Sequence, residues 1–121
     1  MQSYRDLTVW QLGMQLSEDV YRLTGKFPPE EKFGLTSQLR RATTSIPANI
    51  AEGRERGHLK EFIRHLGIAC GSQAELETHI EIAKRLGYCD RETQNALILR
   101  NKEVGKMLTA LRASLRRRLK G

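Results

Sequence analysis

The sequence predicts an all-α protein, an up-down-up-down antiparallel four-helix bundle. Three observations carry that expectation. Apolar residues recur at helical spacing nearly from end to end. Breakers punctuate the pattern at Gly25 with Pro28-Pro29, at Gly53 and at Gly87. The segments between them are similar in length and the joints are short, which makes consecutive helices antiparallel neighbours. The 121 residues form one domain, 1–121, and no Gly/Ser/Pro-rich stretch marks a linker.

The first helix spans about 4–24. Gly25 closes it and Pro28-Pro29 turn the chain. The second spans about 30–52, with acids in its first turn as the helix dipole prefers and Gly53 as its stop. Pro47 lies inside it. Proline lacks the N–H and clashes one turn back, so a kink or restart is expected, with Thr43, Thr44 and Ser45 offering hydroxyls to the disturbed backbone. The third helix spans about 58–86, with Gly87 as its C-terminal signal. Asp90 is a natural N-cap for the fourth, about 90–119.

Helix 3 shows one apolar seam, Leu59, Phe62, Ile63, Leu66, Cys70 and Ile80, flanked by Ala69 and Leu76. Helix 4 shows another, Leu97, Val104, Leu108, Leu111, Leu115 and Leu119. Asn101 falls inside it, where a buried polar group fixes register at some cost in stability. Helix 1 differs. Val9, Leu12, Leu16, Val20 and Leu23 form one stripe; Leu7, Trp10, Met14 and Tyr21 form a second, with a lane of Asp6, Gly13, Ser17 and Thr24 between them. A bundle helix needs one stripe, so the second is expected to meet another copy of the chain.

Charge is segregated. Residues 1–99 hold 13 Lys/Arg and 13 Asp/Glu, whereas residues 100–121 hold eight Lys/Arg against Glu103 alone. The net charge of +7 therefore sits in the last 22 residues. Arg112, Arg116, Arg117, Arg118 and Lys120 are the candidate contacts for a polyanion such as nucleic acid. The alternative is a solvated helix end whose cations offset the macrodipole. No apolar run is long enough for a membrane span, and the start MQSYRDLTVWQ has no signal-peptide pattern. The expected compartment is the cytoplasm, with no membrane partner.

Catalytic and metal chemistry finds no footing, and no cofactor is expected. There is no Gly-rich phosphate loop, nucleophile elbow or zinc cluster. A di-iron bundle needs two Glu-x-x-His pairs; Glu55 and His58 supply one at a helix boundary, and Glu61/His65 and Glu75/His79 have surface spacing. Ser45 and Ser72 have no histidine near them in sequence, and Cys70 sits on an apolar face where a thiol is unreactive. Cys70 and Cys89 are 19 residues apart, roughly 28 Å along a continuous helix, too far for a disulfide.

Two segments carry a family resemblance, FPPEEKFGLTSQLRRATTSIPANIAEG at 27–53 and EFIRHLGIACGSQAELETHIEIAKRLGY at 61–88, with YRDLTVWQ (4–11) and VYRLTGKFP (20–28) in support. Over residues 4–88 the chain resembles the four-helix-bundle proteins encoded in intervening sequences of bacterial 23S (large-subunit) ribosomal RNA genes. That family is related to the accessory variability determinant proteins of diversity-generating retroelements. The resemblance implies a ring-shaped homopentamer, and through the retroelement relatives it implies binding to nucleic acid and to a reverse transcriptase. Most members have no established activity. Gly13 departs from the family's usual alanine, and the tail at 112–120 lies outside the resemblance.

Within the motifs, Gly34, Gly67 and Gly71 suit close helix contacts, Asn49 suits a carbonyl freed by Pro47, and Glu75 and Glu77 are positioned to pair with Arg40 or Arg41 across helices. The competing reading lets Gln38, Arg40, Arg41, Asn49 and Glu52 line a shared surface. The favoured function is a non-enzymatic homo-oligomer that associates with nucleic acid, RNA foremost, through its basic end. The alternative is a protein-interaction scaffold, for instance for a reverse transcriptase, docking through Ile68, Ile82 and Leu86. A ligand site at Asn101 and His79 is a third reading with no further support.

Overall fold

Capping chemistry decides where each helix starts and stops, and at three places it moves the boundary that periodicity predicts. In the computed structural model, which describes residues 3–121, Ser3 and Asp6 form a reciprocal capping box around a separate 3-10 turn at Tyr4–Asp6. Leu7 is extended, so helix α1 is Thr8–Thr24 and does not reach back to Tyr4. A second 3-10 turn, Pro29–Glu31, replaces the expected start of the next helix. Glu31 reaches forward, its Oε1 accepting from Leu35 N at 3.0 Å, and α2 begins there as Leu35–Glu55. Gly53 is not its stop. The chain turns at Gly57, whose φ of 75° is open to glycine at little cost. Helix α3 is Leu59–Arg85 and ends before Gly87, at φ 81°. Helix α4 is Arg91–Lys120, N-capped as predicted by Asp90, which accepts from Thr93 N at 2.7 Å. That bond holds the Asp90 carboxyl below the usual carboxylate range.

The helices form a square in which α1 packs on α2 and α4, and α3 packs on α2 and α4. Neighbours are antiparallel, because partners rise on one helix as they fall on the next: Ser17 with Thr43 and Thr24 with Arg40, Ser45 with Ser72 and Asn49 with His65, Gln73 with Asn101 and Glu81 with Gln94. No strand occurs among the described residues. The interior is filled by Leu16, Leu39, Ile46, Ile50, Leu66, Leu76, Ile80 and Leu108, all essentially solvent-free. Each such side chain contributes roughly 1.5–3 kcal/mol through burial. Both predicted seams meet there, except that Leu119 is exposed and Cys70, Leu59 and Leu111 are half-buried.

The lane on α1 between the two apolar stripes is where α1 meets α2. Gly13, Ser17 and Thr24 are buried. α2 runs as one helix through Pro47, with no restart. Pro47 cannot donate to the carbonyl of Thr43 one turn back. Ser17 on α1 brings a donor to it: its one hydroxyl proton is shared between Gly13 O at 3.0 Å and Thr43 O at 3.2 Å, and the Thr43 hydroxyl is 3.2 Å away. Asn49 has a different role from the expected one, donating to Ser45 O at 2.8 Å.

Two predictions follow from this seam. Ser17→Ala leaves the buried Thr43 carbonyl without a donor and is expected to cost about 1–3 kcal/mol. In a Pro47→Ala background that carbonyl regains a backbone donor, so the cost of Ser17→Ala should shrink. A double-mutant cycle by urea unfolding measures the difference.

The glycines give the second. An alanine Cβ at Gly13 would stand 3.5 Å from Pro47 Cδ, an ordinary contact, so Gly13→Ala should stabilise by about 0.5–1 kcal/mol through helix propensity. At Gly53 the same atom would stand 2.6 Å from His65 Cβ. Gly53→Ala should therefore lower the melting temperature while Gly13→Ala raises it.

Candidate nucleic-acid interface

Helix lengths expose the basic tail. α1 has 17 residues and α4 has 30, about 25 Å against 45 Å. Asp19 of α1 pairs with Arg100 of α4, and from that antiparallel register Thr8 lies level with about residue 111. Beyond it α4 has no α1 beside it. Arg116, Arg117, Arg118 and Lys120 are all exposed.

Up-down topology brings the α2–α3 corner to the same end. It contributes Arg54, Arg56, His58, Lys60 and Arg64. Arg54, His58 and Arg118 rim one open cavity of about 420 Å³ with an apolar floor that includes Leu59, Phe62 and Leu115. The carboxylates of this corner are largely engaged. Glu52 accepts from Arg56 at 2.7 Å and Glu61 from Arg64 at 2.8 Å, and these bonds hold both carboxyls below their usual range. None of the ion pairs among the described residues involves Arg54, Lys60, Arg116, Arg117, Arg118 or Lys120. Six cations at this end thus stand outside those ion pairs, against Glu55 as the exposed carboxylate of the corner that is also outside them, and can hold phosphates by charge and by guanidinium hydrogen bonds.

Arg112, grouped with the tail from sequence, belongs elsewhere. Its guanidinium lies against Gly67 of α3, where a Cβ would stand 2.8 Å from the nearer terminal nitrogen, and its Nε is buried without a partner. What approaches Gly67 is thus the far end of an arginine side chain and not a helix backbone, and at Gly71 a Cβ would meet open space.

The motif residues build the α2–α3 seam. Ser45 and Ser72 share a 2.8 Å hydroxyl bond, Asn49 Nδ2 lies 3.0 Å from Ser45 Oγ, and Asn49 Oδ1 faces His65 Nδ1 at 2.9 Å. With the Asn49 amide donating towards Ser45, its oxygen accepts, so His65 carries its proton on Nδ1 and Nε2 accepts from Arg64 at 3.2 Å. Asn49 separates the serines from the histidine, so no Ser–His pair of the nucleophile type forms. The expected bridges from Glu75 and Glu77 to Arg40 or Arg41 are not among the ion pairs of the described residues. Arg40 instead donates to Thr24 Oγ1 at 2.8 Å and lies 4.3 Å over the Tyr21 ring.

Asn101 is fully buried, as predicted. It donates to Gln73 O at 2.9 Å, while Gln73 Nε2 donates to Asn101 O at 3.3 Å. Both cysteines are free; Cys89 is the buried one, and burial pushes its thiol up. No group of three metal-ligating side chains occurs among the described residues. No helix among them is long and apolar enough to cross a membrane.

The second apolar stripe of α1 divides. Leu7 and Trp10 pack against the bundle's own core, with Trp10 edge-on to Tyr4 at 5.3 Å. Met14 and Tyr21 remain exposed, as do Ile68 and Ile82 on α3 and Leu86 just past its end. Sequence reasoning missed Arg54, Lys60 and Phe33. The first two were within reach, since up-down topology alone places 53–60 beside the end of helix 4. Phe33, 89% exposed, was hidden inside a helix expected to start at 30.

No curated protein matches the sequence. Among solved structures, the chain is similar to a protein of unknown function from the S23 ribosomal protein family of Bacteroides thetaiotaomicron. The two superpose with a TM-score of 0.81 at 27% identity, over 87% of this chain and 95% of that one. The family model of the 23S rRNA-intervening sequence protein matches residues 5–110, which takes in α1 to α3 and most of α4 and stops short of the tail. A match over that span, on a bundle of this topology, means that the chain belongs to the 23S rRNA-intervening sequence protein family.

Proposed function

We propose that this protein is a non-enzymatic, cytoplasmic homo-oligomer that binds nucleic acid, RNA foremost, through the basic end of its bundle. The observation that carries the reading is convergence. Two basic segments, 54–64 and 116–120, lie far apart in sequence and are folded onto one end, where Glu52 and Glu61 are already engaged. Such a surface recognises backbone phosphates and discriminates little between sequences. Each phosphate contact released by salt lowers log affinity by about 0.9 per decade of salt for duplex and 0.7 for single strands.

The homopentamer is the assembly that family resemblance suggests. Met14, with the half-buried Leu7 and Trp10 beside it, is the α1 surface proposed for contact with a second copy. Tyr21 is left out of that contact because Arg40 covers its ring. The scaffold reading has one observation in its favour: Ile68 and Ile82 on α3 and Leu86 just past its end stand exposed, an apolar face for a protein partner.

Binding of the full-length protein to RNA and DNA across a salt series tests the proposal. Leu115 is buried, so removing residues from 114 onward would damage the core; substitution is the cleaner probe. Changing Arg116, Arg117, Arg118 and Lys120 together to Gln should weaken binding and flatten the log–log salt slope by about 2–4. Arg112→Gln should leave the slope unchanged. Intact protein that binds neither polymer would overturn the proposal and favour the scaffold.

A further inference from the structure

We propose that the groove between the end of α1 and the start of α2 holds unpaired bases of a single-stranded nucleic acid, with Phe33 as the stacking platform and Lys32, Arg40 and Arg41 on the phosphates. The inference deepens the nucleic-acid reading and rests on it, but it concerns a different surface. Arg40 and Arg54 are 14 residues apart on α2, about 21 Å along the helix.

Aromatic placement is the first ground. Among the described residues Phe33, at 89%, is the most exposed aromatic side chain, and it lines this groove; Tyr21 lines it too, with the Arg40 guanidinium over its ring. Exposed aromatic faces are what single-strand binders offer to bases, since every base has a face to stack. The second ground is charge. Lys32, Arg40 and Arg41 also line the groove, and no carboxylate does. None of the three enters an ion pair among the described residues.

Order is the third ground. Arg40 is held by Thr24 Oγ1 at 2.8 Å and by the Tyr21 ring at 4.3 Å, and Lys32 Nζ sits 5.4 Å from the centre of the Phe33 ring. The cations are therefore placed beside the rings before any ligand arrives, which lowers the ordering cost of binding.

A protein covering Phe33 would have to desolvate these unpaired cations with it, and the centres of protein interfaces are depleted of charge. A nucleotide brings a flat apolar face and an anion together. This matches the groove, which is about 380 Å³. The basic end has no exposed aromatic and suits backbones of either kind; this groove suits only bases that are free of a duplex.

The test compares full-length protein with Phe33→Ala, Phe33→Trp and Arg41→Ala, using fluorescence anisotropy on a short mixed-sequence single-stranded RNA, its DNA counterpart and the duplex. Phe33→Ala should weaken binding to either single strand roughly 5- to 100-fold and leave duplex affinity unchanged. Phe33→Trp should retain single-strand affinity. Arg41→Ala should lower the single-strand salt slope by about 0.7.

Unchanged single-strand affinity in Phe33→Ala would overturn the proposal. So would a change in oligomeric mass by light scattering, which would assign this face to contact with a second copy. The two nucleic-acid readings fail separately. Loss confined to single strands in Phe33→Ala, with the tail substitutions silent, removes the basic end and keeps the groove; the converse removes the groove alone.

Discussion

The structure turns on one missing hydrogen-bond donor. A proline in the middle of a buried helix leaves the Thr43 carbonyl bare at the α1–α2 seam, and an unpaired buried carbonyl costs as much as a sizeable share of a small domain's stability. Ser17 resolves this from the neighbouring helix. Such a bond acts on more than energy. Sliding α1 along α2 by one turn would lose the donor, so the seam has a single register. The same seam holds Thr24 against Arg40, and through Arg40 it sets the position of the Tyr21 ring.

The surface chemistry then follows from length. Because α1 is short and α4 long, the last turns of α4 lack a neighbour on one side, and up-down topology brings the α2–α3 corner to the gap. Cations that would be scattered on an extended chain are collected on one face. Glu52 and Glu61 are taken up by Arg56 and Arg64, and Glu55 is the exposed carboxylate of that corner left among Arg54, Lys60 and the tail cations. The result is a cationic surface made by chain topology.

Much of the fold was legible in the sequence because periodicity is a property of whole helices. The seams of helices 3 and 4, the Asp90 cap, the Gly87 stop and the buried Asn101 all follow from it. What was not legible depended on partners from other helices. Gly53 looks like a stop until His65 is seen to occupy its missing side chain's place. The polar lane on α1 looks like a solvent face until Pro47 explains why a hydroxyl is needed there. Glu31 capping α2 from outside moved a boundary by five residues and turned Phe33 from a first-turn residue into an exposed ring. Of the candidate site, the tail was visible as bare charge. The withdrawal of Arg112 onto Gly67, and the recruitment of Arg54 and Lys60, needed the third dimension.

The reciprocal amide pair between Asn101 and Gln73 has a consequence at a distance. It clamps the middle of the α3–α4 seam, with Glu81 and Gln94 pairing nearer one end, and it fixes how far along its own axis α4 sits. Arg116 lies 15 residues away, about 22 Å further down the same rod. The clamp therefore works as the zero mark of a ruler: the gap between the tail cations and those of the α2–α3 corner is measured from it. A substitution at Asn101 would lie far from that end of the bundle, yet by letting the rod slip it would change the spacing of the cations there.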